Sequence, residues 1–489
     1  MQEMIDAVSA LYRNWSGKDP VQVDVLPQSG SDRRYFRLFN EANQTVIATL
    51  GPNVAENETF VYFTGHFSSK GLPVPTILAI NEDQTIYLQN DLGDVSLLNV
   101  LEEKGYVEES YQLFRESLHQ LARMQILGDE ELDYDQTLTS REFGQKAIMA
   151  DPLYFKYYFL DALQKPYDKQ KLIDDFEALS SYLTFTEFKF FMFRDFQSRN
   201  IMVRENGQVY FIDYQGGMKG APQYDVASII WQARANLPDD WKDRLLHDYM
   251  NSFESVIGKP LDRAIFESQY NGYVLIRLLQ VLGAYGFRGL FERKAQFLTS
   301  IPLALRNLKW FIEHNSIGIS VPEFRRVIEL CVEDEVIQKF SPIQADDYTP
   351  LVVKICSFSY RKGMPVDESG NGGGFVFDCR GIDNPGRHDQ YKTIHGRDRA
   401  VMDYLERQTR MEDFLNSVFD IVDISVEEYI KRGFDSLSVN FGCTGGQHRS
   451  VYAADALARH LKNKYRVKIN LCHVVQEEKN WTNPLIPNP

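Results

Sequence analysis

The 489-residue sequence predicts two domains of different class, an α+β front part with two lobes and a separate α/β domain with a mostly parallel sheet. Three observations predict this. The first hundred residues are dominated by short β-type runs. The next two hundred carry apolar residues at 3–4 spacing. Beyond Pro350, strand patterns alternate with helix patterns.

Taken in order, VQVDVLP, RRYFRLF, TVIATLG and TIYLQND read as strands separated by turn residues. A helix is expected over 56–70, stopped by Lys70-Gly71 and then Pro73. From 96 to 315 the pattern is helical, as in ESYQLFRESLHQLARMQIL and YVLIRLLQVLGAYGF. FKFFMFRDF and GQVYFIDYQ are too short for helices there and suggest a hairpin beside a cleft. A last helix begins near Val321, and FSPIQADDYTP has the composition of a boundary. The expected divisions are a domain over 1–335 (small lobe 1–95, helical lobe 96–335), a linker over 336–350, and a second domain over 351–489. In that domain LVVKICSFSY, GFVFDCR, LSVNFGCTGG and KINLCHVV are strands. Helices are expected over 398–408, 411–422 and 448–464.

Composition limits the function. A hydrophobic fraction of 44% excludes global disorder. The net charge of -15 argues against a general DNA-coating role, which needs clustered Lys and Arg. From Asp346 onward there are 19 Lys and Arg against 20 Asp and Glu, so nearly all the acidity lies in front. Five scattered cysteines without a CxxC pair predict free thiols rather than a zinc site. MQEMIDAVSALYRNW is amphipathic without the apolar core of a signal peptide, and no run reaches the ~18 apolar residues of a membrane span. The expectation is a soluble cytoplasmic protein that engages no membrane.

The first chemical constellation is Phe193-Arg194-Asp195-Phe196-Gln197-Ser198-Arg199-Asn200, followed after a short strand by Asp213 in FIDYQGG. Phosphoryl transfer needs a carboxylate beside the acceptor hydroxyl and oxygen ligands that hold Mg²⁺ against ATP phosphates. Asp195 suits the first role, and Asn200 and Asp213 the second. This pattern resembles the aminoglycoside phosphotransferase/choline kinase-like family, whose H-x-D-x4-N is met here with Phe193 in place of His. The resemblance implies a bilobal protein-kinase-like fold. Asp225, in QYDVAS, matches that family's Y-D-x-A segment and is expected to brace the loop. Gly30-Ser31-Asp32-Arg33-Arg34-Tyr35-Phe36-Arg37 and Asn90-Asp91-Leu92-Gly93-Asp94 look like the S-x-R-R-Y-x-R and D-L-G-D segments of bacterial N-acetylmuramate/N-acetylglucosamine anomeric kinases. By that resemblance Ser31, Arg33, Arg34, Arg37, Asn90 and Leu92 bind ATP, and the product feeds cell-wall sugar salvage. The usual lysine is absent from TVIATLGP. One of the arginines could replace it with Glu58 as the helix carboxylate; otherwise the domain is a pseudokinase acting as an adaptor.

The second constellation is Gly442-Cys443-Thr444-Gly445-Gly446-Gln447-His448-Arg449-Ser450 between a strand and a helix. Glycine-permitted convergence of N–H groups and a helix start make an anion site. Cys443 to Arg449 also fits the C-x5-R loop of cysteine phosphatases, although no general-acid loop is visible. With SFSYRKGMP, FDCR and Asn384-Pro385 upstream, the segment is very similar to the RapZ C-terminal domain family. That resemblance implies binding of an amino-sugar phosphate such as glucosamine 6-phosphate by Arg361, Arg380, Thr444, Gly445, Gly446, His448 and Arg449. RNA is a further implied partner, for which Arg459, His460, Lys462, Lys464, Arg466 and Lys468 form a local basic cluster.

Overall fold

Strand alternation organises the front sheet. In this computed structural model, which describes residues 2–26, 32–292, 295–341, 343–367, 369–370 and 373–479, five antiparallel strands lie in the order β1-β2-β3-β5-β4. They are β1 (Gln22–Val25), β2 (Arg34–Phe39), β3 (Thr45–Leu50), β4 (Ile77–Ile80) and β5 (Ile86–Asn90). The weak strand β4 is absent from the sequence-based list. Phe36, Leu38, Ala48, Ile86 and Leu88 pack against Val8, Leu11 and Tyr12 of helix α1 (Gln2–Ser16). Because strand side chains alternate, Tyr35, Arg37, Thr49 and Tyr87 belong to the opposite face. There Tyr87 stacks on Phe60 of helix α2 (Val54–Ser69), with centroids 5.2 Å apart.

The rotation of α2 is fixed at its start. Asn57 is fully buried and donates its amide to the carbonyls of Gly51 and Gln84, both at 2.9 Å. Asn53 caps the helix by accepting from the Glu56 N–H. These bonds determine which acidic residue of α2 faces the sheet.

The helical part of this unit packs Glu108–Asp129 on Asp239–Ile257, and Arg263–Tyr285 on Gln145–Phe155 and Gln223–Ile230. The helical stretch Arg263–Phe291 is long and apolar enough on average to cross a membrane, although Asn271, Arg277 and Gln280 interrupt its apolar run, and 56% of its apolar window is buried inside the protein. The expected hairpin between FKFFMFRDF and GQVYFIDYQ does not form. Instead β6 (Phe190–Met192) pairs with β9 (Met218–Gly220), and β7 (Ile201–Val203) pairs with β8 (Val209–Phe211). Asn206-Gly207, with Gly207 at φ +77°, supplies the tight turn between β7 and β8 and decides the pairing.

The chain divides into two compact units, Met1–Phe287 with Leu303–Glu333, and Arg288–Pro302 with Asp334–Pro489. A helix, Asp334–Phe340, occupies the start of the stretch expected to be a linker. In the second unit β10 (Val352–Ser359), β11 (Phe375–Asp378), β12 (Ser436–Cys443) and β13 (Lys468–His473) form a sheet of order β11-β12-β10-β13, with every pair parallel. The helix over 411–422 runs on to Arg432, where Gly433 at φ +69° ends it. Cys356 and Cys472 are register partners on β10 and β13 and are joined as a disulfide, which corrects the expectation of five free thiols. Proximity across a sheet is invisible in two cysteines 116 residues apart.

Candidate active site

The two ribbons carry the acidic residues of the cleft. Asp195 follows β6, Asn200 precedes β7, and Asp213 follows β8. Asn200 Nδ2 donates to the Asp195 carbonyl at 3.0 Å and to Asp213 Oδ2 at 3.3 Å, so the structure brings these three residues together. Arg194 and Asp213 both hold positive φ, +78° and +71°, a strain that flanks the site and persists because the surroundings impose it. Asp225 supplies part of that restraint. It is fully buried and accepts from the Phe193 and Arg194 N–H groups at 2.7 and 2.9 Å and from Gln125 Nε2 at 3.1 Å. Burial pushes its carboxyl up to about 7 against those hydrogen bonds. Phe193 takes the usual histidine position as a fully buried ring, edge-on to Phe196 and Tyr214.

Gln215 was missed by the sequence reading and joins the two lobes of the cleft. Its Nε2 donates to Asp213 Oδ1 at 2.9 Å and to Glu56 Oε1 at 3.2 Å. Glu56 in turn pairs with Arg33 Nη2 at 3.2 Å, and Arg33 is only 4% exposed. The helix carboxylate is therefore Glu56, not Glu58. Two residues along a helix is about 200°, and Glu58 lies on the exposed side. A continuous polar chain results: Arg33, Glu56, Gln215, Asp213, Asn200, Asp195. Tyr35 lies close to Arg33 and Asp213, and burial pushes its hydroxyl pKa up.

The other expected ATP residues separate. Arg37 is bonded to two carboxylates of the protein. It forks onto the Asp91–Asp94 segment, with Nε at 2.6 Å from Asp91 Oδ2 and Nη2 at 2.7 Å from Asp94 Oδ1. The S-x-R-R-Y-x-R and D-L-G-D segments are thus tied to each other. Arg34 belongs by alternation to the α1-covered face, away from Tyr35 and Arg37. Asn90 accepts from the Thr76 N–H at 2.6 Å, and Leu92 is buried. Ser31 lies outside the described residues. A second missed residue is Arg277, whose Nη2 stands 3.7 Å from Asp195 Oδ1.

The oxygen set fits Mg²⁺. Asp213 and Asn200 are hard-oxygen residues, and the buried Gln215 Oε1 beside them has no hydrogen-bond partner. Bound there, Mg²⁺ would neutralise ATP phosphate charge. Among the described residues no cluster of three or more His, Cys, Asp or Glu could hold a metal ion by itself.

In the second unit the loop after β12 turns at Gly446, φ +66°, where a Cβ would lie 2.5 Å from Val475 Cγ2 and 3.0 Å from the Ser359 nitrogen. Ser359 Oγ donates to the Thr444 carbonyl at 2.8 Å and seats the loop on β10. His448 and Arg449 each commit a side-chain donor to the protein, while Arg449 Nε is buried without a hydrogen-bond partner. His448 Nε2 donates to the Tyr391 carbonyl at 2.9 Å, and burial lowers its pKa. Arg449 Nη1 donates to the Ile382 carbonyl at 2.6 Å and to the Arg380 carbonyl at 3.3 Å. Both side chains tie the 380–394 segment to the helix start. Thr444 and Gly445 stay accessible, Arg361 is exposed, and Arg380 lies over the Tyr360 ring at 4.0 Å while pairing with Asp378. Cys443 is buried, accepts from the Gly446 N–H at 3.1 Å and lies 3.2 Å from the Ser450 hydroxyl, while Arg449 Nη1 is bonded to the Ile382 carbonyl. Beneath the loop a network missed by the sequence reading links Ser357 to His473 Nδ1 at 2.8 Å, and His473 and Arg397 to Asp455 at 3.2 and 2.6 Å. In the basic cluster, His460 and Lys464 are both paired with Asp423.

The sequence matches the model of the phosphotransferase enzyme family over residues 24–258 and that of the RapZ C-terminal domain over residues 351–475. The chain therefore joins a phosphotransferase-family domain to a RapZ C-terminal domain. Proteins described as nucleotide-binding are similar to it. One from Solibacter usitatus is 34% identical over 131 residues, 27% of this chain and 39% of that protein. One from Endomicrobium trichonymphae is 39% identical over 137 residues, 28% and 46% respectively. The chain thus spans less than half the length of these relatives. Similar solved structures include choline kinase LicA from Streptococcus pneumoniae, with 13% identity, 63% of this chain, 99% of that one and a TM-score of 0.43. Choline kinase from Cryptosporidium parvum Iowa II has 12% identity, coverage of 67% and 99%, and a TM-score of 0.45. The acidic chain from Glu56 to Asp195 lies wholly within the matched phosphotransferase domain, and the Gly446 loop within the matched RapZ C-terminal domain.

Proposed function

We propose that this protein is an ATP-dependent amino-sugar kinase that phosphorylates the anomeric hydroxyl of N-acetylmuramate or N-acetylglucosamine, fused to a domain that binds an amino-sugar phosphate. The observation that carries the kinase reading is the unbroken polar chain from Arg33 to Asp195. It provides a buried cation on the nucleotide side, an oxygen set suited to Mg²⁺, and a half-exposed carboxylate for the acceptor proton. Arg33 with Glu56 supplies what the missing lysine would, which favours an active enzyme over a pseudokinase. The sugar itself is supported by the two motif resemblances, in the Arg33–Arg37 and Asp91–Asp94 segments.

The test is ADP release with Mg²⁺ and ATP across a panel of amino sugars, hexoses, choline and aminoglycosides. The reading expects turnover with an N-acetylated amino sugar and its loss in Asp195→Asn. No turnover with any sugar would remove it. For the second domain, accessible Thr444 and Gly445 beside Arg361 and Arg380 support binding of an anionic sugar, and the shared amino-sugar chemistry suggests feedback on the kinase. Titrating glucosamine 6-phosphate against kinase rate checks this; a flat response would remove the coupling.

A further inference from the structure

Arg277 belongs to none of the motifs that define the cleft, yet it ends at the catalytic carboxylate. It lies in the middle of the helix Arg263–Tyr285, 82 positions after Asp195, and is 5% exposed. One edge of its guanidinium is held by the protein. Nη1 donates to Gln280 Oε1 at 2.7 Å and to the Tyr224 hydroxyl at 3.5 Å. The other edge faces Asp195, with Nη2 3.7 Å from Oδ1. That separation is too long for a hydrogen bond. An oxygen about 2.8 Å from each atom would bridge them, accepting from the guanidinium and donating to the carboxylate.

We propose that Arg277 and Asp195 together hold the acceptor oxygen, making Arg277 an acceptor-binding residue; this deepens the kinase reading and rests on it. In the transfer step the acceptor O–H proton goes to Asp195, the new O–P bond forms to the γ-phosphorus, and the bond from that phosphorus to the β,γ-bridging oxygen breaks, releasing ADP. Arg277 keeps the oxygen in line and stabilises the negative charge that develops on it. A consequence for specificity follows. Arg194 is matched with Asp151 at 3.3 Å, and Arg277 with Asp195. Both carboxylates of this cluster are thus already paired with a guanidinium, so the site favours an acceptor that is neutral or anionic at its reacting end over a cationic one.

The experiment compares wild type, Arg277→Gln and Arg277→Lys in three measurements: acceptor kinetics, Mg·ATP hydrolysis with water as acceptor, and affinity for a fluorescent ATP analogue. Arg277→Gln is expected to lower acceptor kcat/KM by about 100-fold, the usual effect of losing a preorganised donor. Water-dependent hydrolysis should fall in parallel, while nucleotide affinity stays within about threefold. Arg277→Lys should restore part of the loss, because it returns a donor and a charge without the fork. Acceptor kinetics and hydrolysis that both stay within threefold of wild type would overturn the proposal. So would an equal loss of nucleotide affinity, which marks collapse of the cleft, or a strong preference for choline or an aminoglycoside. Were wild type to phosphorylate no acceptor in the panel, the kinase reading would fail by that result, and the hydrolysis comparison would still judge Arg277.

Discussion

Replacing Arg33 by Gln removes the buried cation of the cleft, and its cost can be worked from the pair it makes. Arg33 Nη2 and Glu56 Oε1 are 3.2 Å apart, with side-chain exposures of 5% and 21%. At an effective dielectric of about 20, two unit charges at that distance attract by about 5 kcal/mol, most of which is offset by removing the guanidinium from water. What the substitution leaves is a half-buried Glu56 carboxylate whose cation is gone, with Gln215 still donating to it. A net loss of about 2 kcal/mol is expected, within the range for hydrogen bonds to charged groups. The assay is urea denaturation followed by circular dichroism, run as a double-mutant cycle with Glu56→Gln. The two substitutions should couple by about 1–2 kcal/mol, and Mg·ATP turnover should drop with either. Glu58→Gln, on the exposed side, should stay within about 0.5 kcal/mol and leave turnover unchanged. Coupling of Arg33 to Glu58 instead of Glu56 would refute the assignment.

Other expected outcomes follow from particular contacts. Asp225→Asn keeps the shape but weakens acceptance from two backbone N–H groups and Gln125, so it should destabilise the protein by about 2–4 kcal/mol in the same urea assay and slow turnover through the Asp195 loop. Although burial works against the Asp91 charge, hydrogen bonds from Arg37 and the Gly93 N–H hold its pKa below the ordinary 3.8. Its contribution is therefore complete above pH ~3.8 and is lost as pH falls through the depressed native value, and Arg37→Gln should flatten that acid limb of the stability profile. Thiol counting by alkylation and mass spectrometry, under denaturing and non-reducing conditions, should find Cys331, Cys379 and Cys443 reactive and Cys356 and Cys472 protected.

Much of the cleft was readable because its residues are close in sequence. Asp195, Asn200 and Asp213 flank the short strands β6, β7 and β8, so their spacing together with those strand patterns announces them. The parallel sheet of the second unit was equally legible, since its strand patterns alternate with helix patterns and β10 and β12 are buried along most of their length. What escaped depended on rotation or on distance along the chain. Choosing Glu56 over Glu58 requires the phase of α2, which Asn57 sets through bonds to Gly51 and Gln84. Arg277 reaches Asp195 through the packing of its helix, 82 positions further along the chain, and no local pattern encodes that. His448 and Arg449 read as anion donors from composition. Their partners are backbone carbonyls some sixty residues upstream, which residue types cannot reveal. The disulfide likewise needed the register of β10 against β13.

The central claim is that the Arg33-to-Asp195 chain moves a phosphoryl group to the anomeric oxygen of an amino sugar. Phosphorus NMR of the protein with ATP, Mg²⁺ and each sugar of the panel tests it most directly, because the chemical shift and coupling of a new resonance report acceptor and position together. The account predicts an anomeric sugar phosphate signal with N-acetylmuramate or N-acetylglucosamine that grows as ADP appears and is absent with Asp195→Asn. A spectrum that shows only ATP, or only ADP and inorganic phosphate, with every sugar would contradict it.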